Sequence, residues 1–332
     1  AAREGASASS LFGLRAGRPS TLSPGGKGVD DTLRALRNAL RAFFATLTRA
    51  SRFAKGTCGH AEVTALLLKA ETANDAQSEK SASRDAGAAA VAECVAAACA
   101  SAGGAAVAEC AASLVRELES AAKTGAPPSD RSRLAMYCLG ELARVPLGAN
   151  GSGASGPSAF GDAKIASAFE TLVRDAFGGA DAGGEDASGG RRAAKTKDGK
   201  SEKKAPLPSL DESFVTAAAF ALGGACAGVA SRARFLPFVV AGASSGDARA
   251  EYASLVALRE AVDGFERREA DASELPEASR KEEEASFFTE AENASIVERL
   301  LATGERTEEE GARAVAAECL GRLAARDAYA SR

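Results

Sequence analysis

The sequence predicts an all-α protein built as an α-solenoid, an elongated stack of helical hairpins. Three observations favour this class. About 80 of the 332 residues are Ala, aromatic residues make up only 5% and Trp is absent, and apolar residues recur at helical spacing along most of the chain. Ala is the strongest helix former, whereas strands favour β-branched and aromatic side chains. The composition therefore disfavours an all-β or large α/β protein.

The first predicted helix follows a stretch without any apolar period. Residues 1–28 are rich in Gly, Ser, Pro and Arg, which predicts a disordered tail. From Asp31 onward, apolar residues recur at steps of three and four, so they lie on one side of a helix. We expect this helix to bury the stripe formed by Leu33, Leu36, Leu40, Phe43, Phe44 and Leu47.

The next two stripes predict a helical hairpin. Between them, Ser101-Ala-Gly-Gly104 supplies a helix stop and a tight turn. Two short helices that are joined in this way lie side by side. The first stripe is Val91, Cys94, Val95, Ala98 and Cys99, and the second is Val107, Cys110, Ala111, Leu114 and Leu118.

Helical stripes continue to the end of the chain, and no convincing strand pattern interrupts them. The best strand candidate is Phe235–Ala241, but Pro237 in its middle favours a helix start instead. The further stripes begin at Leu134, Ile165, Phe214, Tyr252, Phe287 and Val315.

Three stretches of low complexity separate groups of predicted helices. They are rich in Gly and Ser or in charged residues, so they bury too little apolar surface to offset the entropy of ordering. The predicted organisation is a disordered tail (1–28), HEAT-like repeats (29–147), a flexible loop (148–161), a HEAT-like helix (162–177), a disordered insertion (178–208), HEAT-like repeats (209–265), a charged insertion (266–284) and a HEAT-like repeat (285–328).

The term HEAT-like rests on an internal repeat. A short signature recurs as YCLGELA at 137–143, FALGGA at 220–225 and ECLGRLA at 318–324, with a weaker ECVAA at 93–97. The aligned positions 94, 138, 221 and 319 are 44, 83 and 98 residues apart. The last two separations correspond to two repeats each, which is close to the roughly 40–47 residues of HEAT repeats.

Each signature carries a glycine inside a helix: Gly140, Gly223 and Gly321. Such a glycine costs about 1 kcal/mol relative to Ala. Its recurrence at one position predicts that a neighbouring helix approaches closely there. One Ala-rich hairpin cannot cover its own apolar faces, so neighbours must stack.

The sequence lacks the residues that a catalytic or metal-binding site needs. His60 is the only histidine, and Cys58 beside it finds no third or fourth ligand at zinc-like spacing. Neither an orienting partner for a Cys58–His60 dyad nor a phosphate-binding loop is present. We therefore predict no enzyme, no catalytic, cofactor-binding or metal-ligating residue and no cofactor, and we identify no partner-binding residue.

The cysteines favour a protein of a reducing compartment without a disulfide framework. Seven scattered cysteines form no CxxC pair, and six lie in apolar surroundings, which predicts that their thiols pack in the core.

The net charge of -4 is unlike that of a dedicated nucleic-acid binder. No run of apolar residues is long enough to cross a membrane as a helix. The basic run 191–204 is interpreted as a solvated insertion, with an import signal or acidic-partner patch as the alternative, and the runs Glu282–Glu284 and Glu308–Glu310 as helix N-termini.

Residues 309–323 and several shorter segments, taken together, resemble the cullin-associated and neddylation-dissociated (CAND) proteins. Residues 309–323, EEGARAVAAECLGRL, look like that family's EEGxRxVxAECLGKL segment. The order and approximate spacing of the similar segments agree over most of residues 31–326. The other similar segments are 39–47, 91–97, Arg133–Leu134, 139–141, 217–223, 235–239, Glu251–Tyr252 and 255–260.

The resemblance implies a middle segment of a longer HEAT-repeat exchange factor for cullin–RING ubiquitin ligases. Such a factor wraps an unmodified cullin–RING core in the cytoplasm and nucleus and promotes exchange of its substrate receptor without catalysis. The expected partner is thus a protein, with no small-molecule substrate, specific nucleic acid or membrane. Two alternatives stay open: another HEAT scaffold, such as a nuclear-transport receptor or a phosphatase regulatory subunit, and a hydrolase centred on Cys58 and His60.

Overall fold

Every regular element in the described part of the chain is an α-helix. A computed structural model describes residues 60–74, 81–125, 127–145, 158–177, 212–243, 247–272, 288–307 and 310–330, together with residues 39, 42–43, 46–47 and 245. The helices are α1 (His60–Asn74), α2 (Ser81–Ala102), α3 (Gly104–Lys123), α4 (Asp130–Arg144), α5 (Ala163–Ala176), α6 (Glu212–Ala227), α7 (Val229–Gly242), α8 (Ala248–Ala272), α9 (Glu290–Arg306) and α10 (Glu310–Ala330). The predicted all-α class is confirmed for these residues.

Neighbouring helices pack in a regular order. The even-numbered helices α2, α4, α6, α8 and α10 form a row in which each helix contacts the next one. The helices α3 and α7 each pack against the even-numbered helices on both sides of them along the chain, as in the contacts of α3 with α2 and α4, whereas α9 packs against α10 and α7. Most of the buried apolar residues form one continuous core.

The predicted hairpin around residue 103 is confirmed. α2 ends at Ala102 and α3 begins at Gly104. Gly103 between them has φ +111°, in the region that residues with a side chain rarely adopt. Its amide donates to the Cys99 carbonyl at 3.1 Å and closes the last turn of α2. The glycine pair in the sequence is therefore the turn that lets α3 reverse direction.

Four later helices begin with a side-chain cap, which satisfies an amide that the first turn leaves without a partner. The Asp247 carboxylate accepts from the Ala250 amide at 2.8 Å in α8. The Ser129 side chain accepts from the Ser132 amide at 3.2 Å in α4. Asp162 accepts from the Lys164 amide at 2.8 Å in α5. Thr289 and Glu292 form a capping box at the start of α9.

α6 is buried along most of its length. All residues from Ala217 to Ala227 are buried, because α4, α5, α7 and α8 all pack against it. A helix that is covered on several sides is apolar all round rather than amphipathic. Its many Ala and Gly residues therefore reflect how closely the neighbouring helices approach.

Three aromatic side chains join α5 and α7 to the core. The ring of Phe160 stacks on Phe169 at 4.5 Å between centroids, and Phe235 meets both rings edge-on at 5.5 Å. The Phe160 side chain is buried, although it lies at the end of the range 148–161 that the sequence marks as flexible. Packing on α5 and α7 explains its burial, which the Gly- and Ser-rich composition around it conceals.

The helix boundaries differ from the sequence prediction in two places. Phe235–Ala241 is helical, as expected, but Pro237 lies inside α7 rather than at a helix start. α8 continues to Ala272, into the range predicted as a charged insertion. Its charged residues are good helix formers, and burial of the preceding turns supplies the nucleus that a helix needs to continue.

Several predicted features lie outside the described residues. They include the tail 1–28, the insertion 178–208 and most of the first stripe. Phe43 and Leu47 of that stripe are described, and 59% and 39% of their surface is exposed. Predicted burial is therefore wrong at these two positions.

Candidate functional site

The signature glycine of α4 is the contact point between α4 and α6. A Cβ atom on Gly140 would lie 2.8 Å from Cδ1 of Phe220 and 3.1 Å from Cα of Ala221. Real Cβ atoms almost never lie within 3.0 Å of such neighbours, so a residue with a side chain would force the Phe220 ring or α6 to shift. The Tyr137 ring, one turn earlier, lies 4.9 Å from the Phe220 ring.

The signature glycine of α6 makes the corresponding contact with α8. A Cβ atom on Gly223 would lie 2.6 Å from the Ala257 carbonyl oxygen and 3.2 Å from the Ala261 nitrogen. The next residue, Gly224, faces back toward the Gly140 backbone. The predicted close approach is confirmed at Gly140 and Gly223, and α6 lies between two backbones at once.

The third signature glycine has no neighbour of this kind. No described atom lies within 4 Å of the position that a Cβ would take on Gly321. Close approach at Gly321 is therefore absent in the described part of the chain. Gly321 belongs to an exposed row of small residues, which we call the α10 stripe: Ala314, Ala317, Gly321 and Ala324.

A buried arginine joins three helices of the row. Arg144 of α4 donates to Glu141 at 2.8 Å and to the backbone carbonyl of Glu260 in α8 at 3.2 Å. A second contact, with the Glu260 carboxylate, spans 3.5 Å. The guanidinium lies over the Phe220 ring of α6, 4.3 Å from its centre. Charge pairing and the cation–π contact both offset part of the cost of burying the cation.

A second arginine continues this network toward α10. Arg322 donates to Asp263 of α8 at 3.3 Å and to Glu318 of its own helix at 2.7 Å. Arg259 of α8 donates to Glu260 at 3.3 Å. Charged groups thus connect α4, α8 and α10 through the interior, and sequence reasoning did not identify them. The signal that could have identified these buried charges is the presence of Glu141, Arg144 and Arg322 in or next to otherwise apolar signatures.

Most of the described cysteines are core residues, as the sequence predicts. Cys99, Cys138, Cys226 and Cys319 are buried, and Cys94 and Cys110 are half-buried. Burial disfavours the thiolate and raises the pKa of Cys138, Cys226 and Cys319, the last to about 12. Burial and the nearby Glu93 raise the pKa of Cys94 to about 11. These thiols are chemically quiet at neutral pH.

One pair of cysteines differs from the others. The Cys110 thiol hydrogen-bonds to the Cys99 sulfur across the α2–α3 hairpin, which lowers the pKa of Cys99 and raises that of Cys110. The Thr64 hydroxyl of α1 lies 3.9 Å from the same Cys99 sulfur. Both partners favour a negative charge on Cys99, but the site is buried and lacks a histidine base among the described side chains.

The remaining candidates from the sequence are only partly described. Cys58, the basic run 191–204 and Glu282–Glu284 lie outside the described residues, as does the side chain of His60. Glu310 lies in the first turn of α10, as predicted. Among the described residues, no group of three or more His, Cys, Asp or Glu side chains is placed to hold a metal ion. No described helix has the length and apolarity needed to span a membrane.

No protein-family model matches the chain, and no curated protein matches it.

Proposed function

We propose that this chain is a non-catalytic α-solenoid of HEAT-like hairpins that binds an unmodified cullin–RING ubiquitin-ligase core. Its role is that of a middle segment of an exchange factor of the CAND type, acting in the cytoplasm and nucleus. One observation supports a repeat scaffold: the same signature position has the same role in two helices. Gly140 and Gly223 each make the close contact with the next helix of the row.

The cullin partner is supported by the resemblance of residues 309–323, most of which form α10. Ala312, Val315, Ala316 and Cys319 of this segment are buried. These buried positions hold α10 in the row of helices. The resemblance therefore supports a shared scaffold more directly than it supports a shared cullin-binding surface.

Exchange follows from differential binding. A scaffold that binds the cullin core without its ubiquitin-like modifier and without its adaptor shifts the equilibrium toward that form. The shift is bounded by the difference in affinity for the two forms. No covalent step and no bound cofactor is part of this mechanism.

A retention experiment tests the proposal. The immobilised chain is incubated with a cullin–RING core that either carries or lacks its ubiquitin-like modifier. We expect the unmodified core to be retained preferentially and to lose affinity for its adaptor when the chain is added. Equal retention of both forms, or of neither, contradicts the cullin assignment.

The same experiment separates the other scaffold functions. An import cargo and a phosphatase catalytic subunit are added in parallel, because a transport receptor or a phosphatase regulatory subunit binds these instead. As a control for folding, the chain is also tested after thermal unfolding. Retention that survives unfolding is non-specific and does not support any of the three.

A further inference from the structure

Two thiols meet across the α2–α3 hairpin. Cys99 lies in the last turn of α2, where its carbonyl accepts from the Gly103 amide at 3.1 Å. Cys110 lies in the second turn of α3, and its thiol donates a hydrogen bond to the Cys99 sulfur. The tight turn at Gly103 therefore holds two sulfur atoms next to each other.

The two thiols differ in how far solvent reaches them. Cys99 is fully buried and belongs to the continuous core. Cys110 is half-buried and packs against that core. A small oxidant that approaches from solvent therefore reaches the Cys110 sulfur first.

The surroundings of the pair supply what an oxidisable thiol needs, because the thiolate rather than the thiol is the nucleophile. The hydrogen bond to Cys99 and burial raise the pKa of Cys110, and the Arg131 guanidinium of α4 opposes that shift. Cys99 is placed to take the Cys110 proton, since the Thr64 hydroxyl lies 3.9 Å from its sulfur and favours a negative charge there. Cys110 is thus protonated at rest, with an acceptor for its proton in contact and a cation nearby.

We propose that Cys99 and Cys110 form a hydroperoxide-sensitive dithiol that closes into a reversible disulfide between α2 and α3. The sulfur atoms must come to about 2.05 Å from each other. Because the two thiols are already hydrogen-bonded, closure requires rotation of the side chains rather than movement of the helices. A transient disulfide is also the kind that occurs in a reducing compartment, where such bonds serve redox sensing. The proposal does not depend on the cullin partner.

The chemistry balances with hydrogen peroxide as the oxidant. Cys110 passes its proton to the Cys99 thiolate, and its sulfur attacks one peroxide oxygen, so an S–O bond forms while the O–O bond breaks. The released hydroxide takes that proton from Cys99 and leaves as water. The Cys99 sulfur then attacks the Cys110 sulfur, so the S–S bond forms while the S–O bond breaks. The second hydroxide takes up the proton that Cys99 had lost to solvent. The two thiols thus give up two electrons, and the peroxide is reduced to water.

The disulfide has a structural consequence for the hairpin. It links α2 and α3 covalently beside the turn that already joins them, so the two helices can no longer separate at this level. A thiol reductant reverses the link by thiol–disulfide exchange. The pair therefore records exposure to hydroperoxide in a form that the reducing compartment later erases.

Peptide mapping of the full chain tests the inference without any variant. The chain is treated with hydrogen peroxide, the remaining thiols are alkylated, and the protein is cut after glutamate residues under non-reducing conditions. The fragments 94–109 and 110–117 then carry Cys99 and Cys110 separately. We expect these two fragments to be recovered as one linked species, lighter than their sum by the two thiol hydrogens, and to separate after treatment with dithiothreitol.

Two variants complete the assignment. Cys94 shares the fragment 94–109 with Cys99, and it is the matched control because it is another half-buried thiol of the same hairpin. Cys94→Ala should form the link as the wild type does. Cys99→Ala should form at least about tenfold less of it, because a sulfenic acid on Cys110 then lacks the adjacent thiol that resolves it. That sulfenic acid should be trapped by a dione reagent.

Each other result overturns the inference. Cys110 that stays reduced, that is oxidised without a link in the wild type, or that is linked to another cysteine such as Cys138 shows that the hairpin does not form this bond. Loss of the linked species in Cys94→Ala assigns the bond to Cys94 instead. The same treatment of the chain unfolded in urea should give a mixture of links. An equally selective link in urea would show that closeness along the chain, and not the folded hairpin, selects the pair.

Discussion

Gly224 of α6 lies directly against the backbone of Gly140 of α4. A Cβ atom on Gly224 would stand 2.7 Å from both the Cα and the carbonyl carbon of Gly140. Neither glycine has positive φ, so both are required for space rather than for backbone conformation. On the same side of the row, the Arg144 side chain of α4 reaches past α6 to Glu260 of α8.

We predict that Gly224→Ala destabilises the protein, although Ala is the better helix former. The added methyl group overlaps a backbone that has no rotamer with which to move away. The free energy of unfolding should fall by about 1–3 kcal/mol, as for overpacked cores. Gly304→Ala is the control, because its Cβ meets open space, and it should raise stability by up to about 1 kcal/mol. Urea unfolding of both variants checks the opposite signs, and a stabilised Gly224→Ala would contradict the close contact.

The buried Arg144 predicts a large loss when its charge is removed. Arg144→Met leaves the Glu141 carboxylate without its cation in the interior and removes a donor from the Glu260 carbonyl. Breaking a buried pair on one side costs about 3–5 kcal/mol. Arg174→Met is the control, because Arg174 is exposed and pairs with Glu170 at the surface; it should change stability by less than about 1 kcal/mol. Similar losses in both variants would show that Arg144 does not hold the row together.

The capping box of α9 predicts a smaller, local effect. Thr289→Ala removes the hydroxyl that accepts from the Glu292 amide at 3.2 Å, which should cost about 1 kcal/mol. Thr171→Ala in the middle of α5 is the matched control. There the hydroxyl only donates to the Ser167 carbonyl at 3.1 Å, and the change should slightly raise stability. Faster amide exchange at the start of α9 identifies the lost cap, and unchanged exchange there would exclude it.

The sequence predicts the local features of this fold well. The turn at Gly103 and the contacts of Gly140 and Gly223 follow from glycines at fixed places in a helical pattern. What it does not predict depends on residues that are distant in the chain. Arg144 and Glu260 are 116 residues apart. The charges of the signatures stand out in the sequence, but their spacing along the chain does not show which distant residue each one pairs with.

The same limit applies to exposure. The pattern of α10 contains the signature of α4 and α6, so it predicts the same close approach at Gly321. Whether that position is covered depends on which helix follows it in space, and spacing along the chain carries no such information. Phe160 is the opposite case, because packing on Phe169 and Phe235 buries a residue whose surroundings are typical of a loop.

Cys319 predicts how stability changes at high pH. Burial raises the pKa of its thiol from 9.0 to about 12 in the folded protein. Between these values the unfolded chain has released the proton and the folded protein has kept it. Stability therefore falls as the pH rises from about 9 toward 12, and the contribution is fully present below pH 9. The loss from one thiol is at most about 1.4 kcal/mol per pH unit.

The difference between wild type and Cys319→Ala isolates this effect, because the lysines, tyrosines and other cysteines titrate in both proteins. Urea unfolding at several pH values from 8 to 11 should show the variant less stable at pH 8, since it lacks a buried side chain. The gap should close as the pH rises, because only the wild type loses the contribution of this thiol. A gap that stays constant up to pH 11 would mean that the thiol ionises as readily in the folded protein as in the unfolded chain. The Cys319 side chain of α10 would then not be enclosed by its contact with α8.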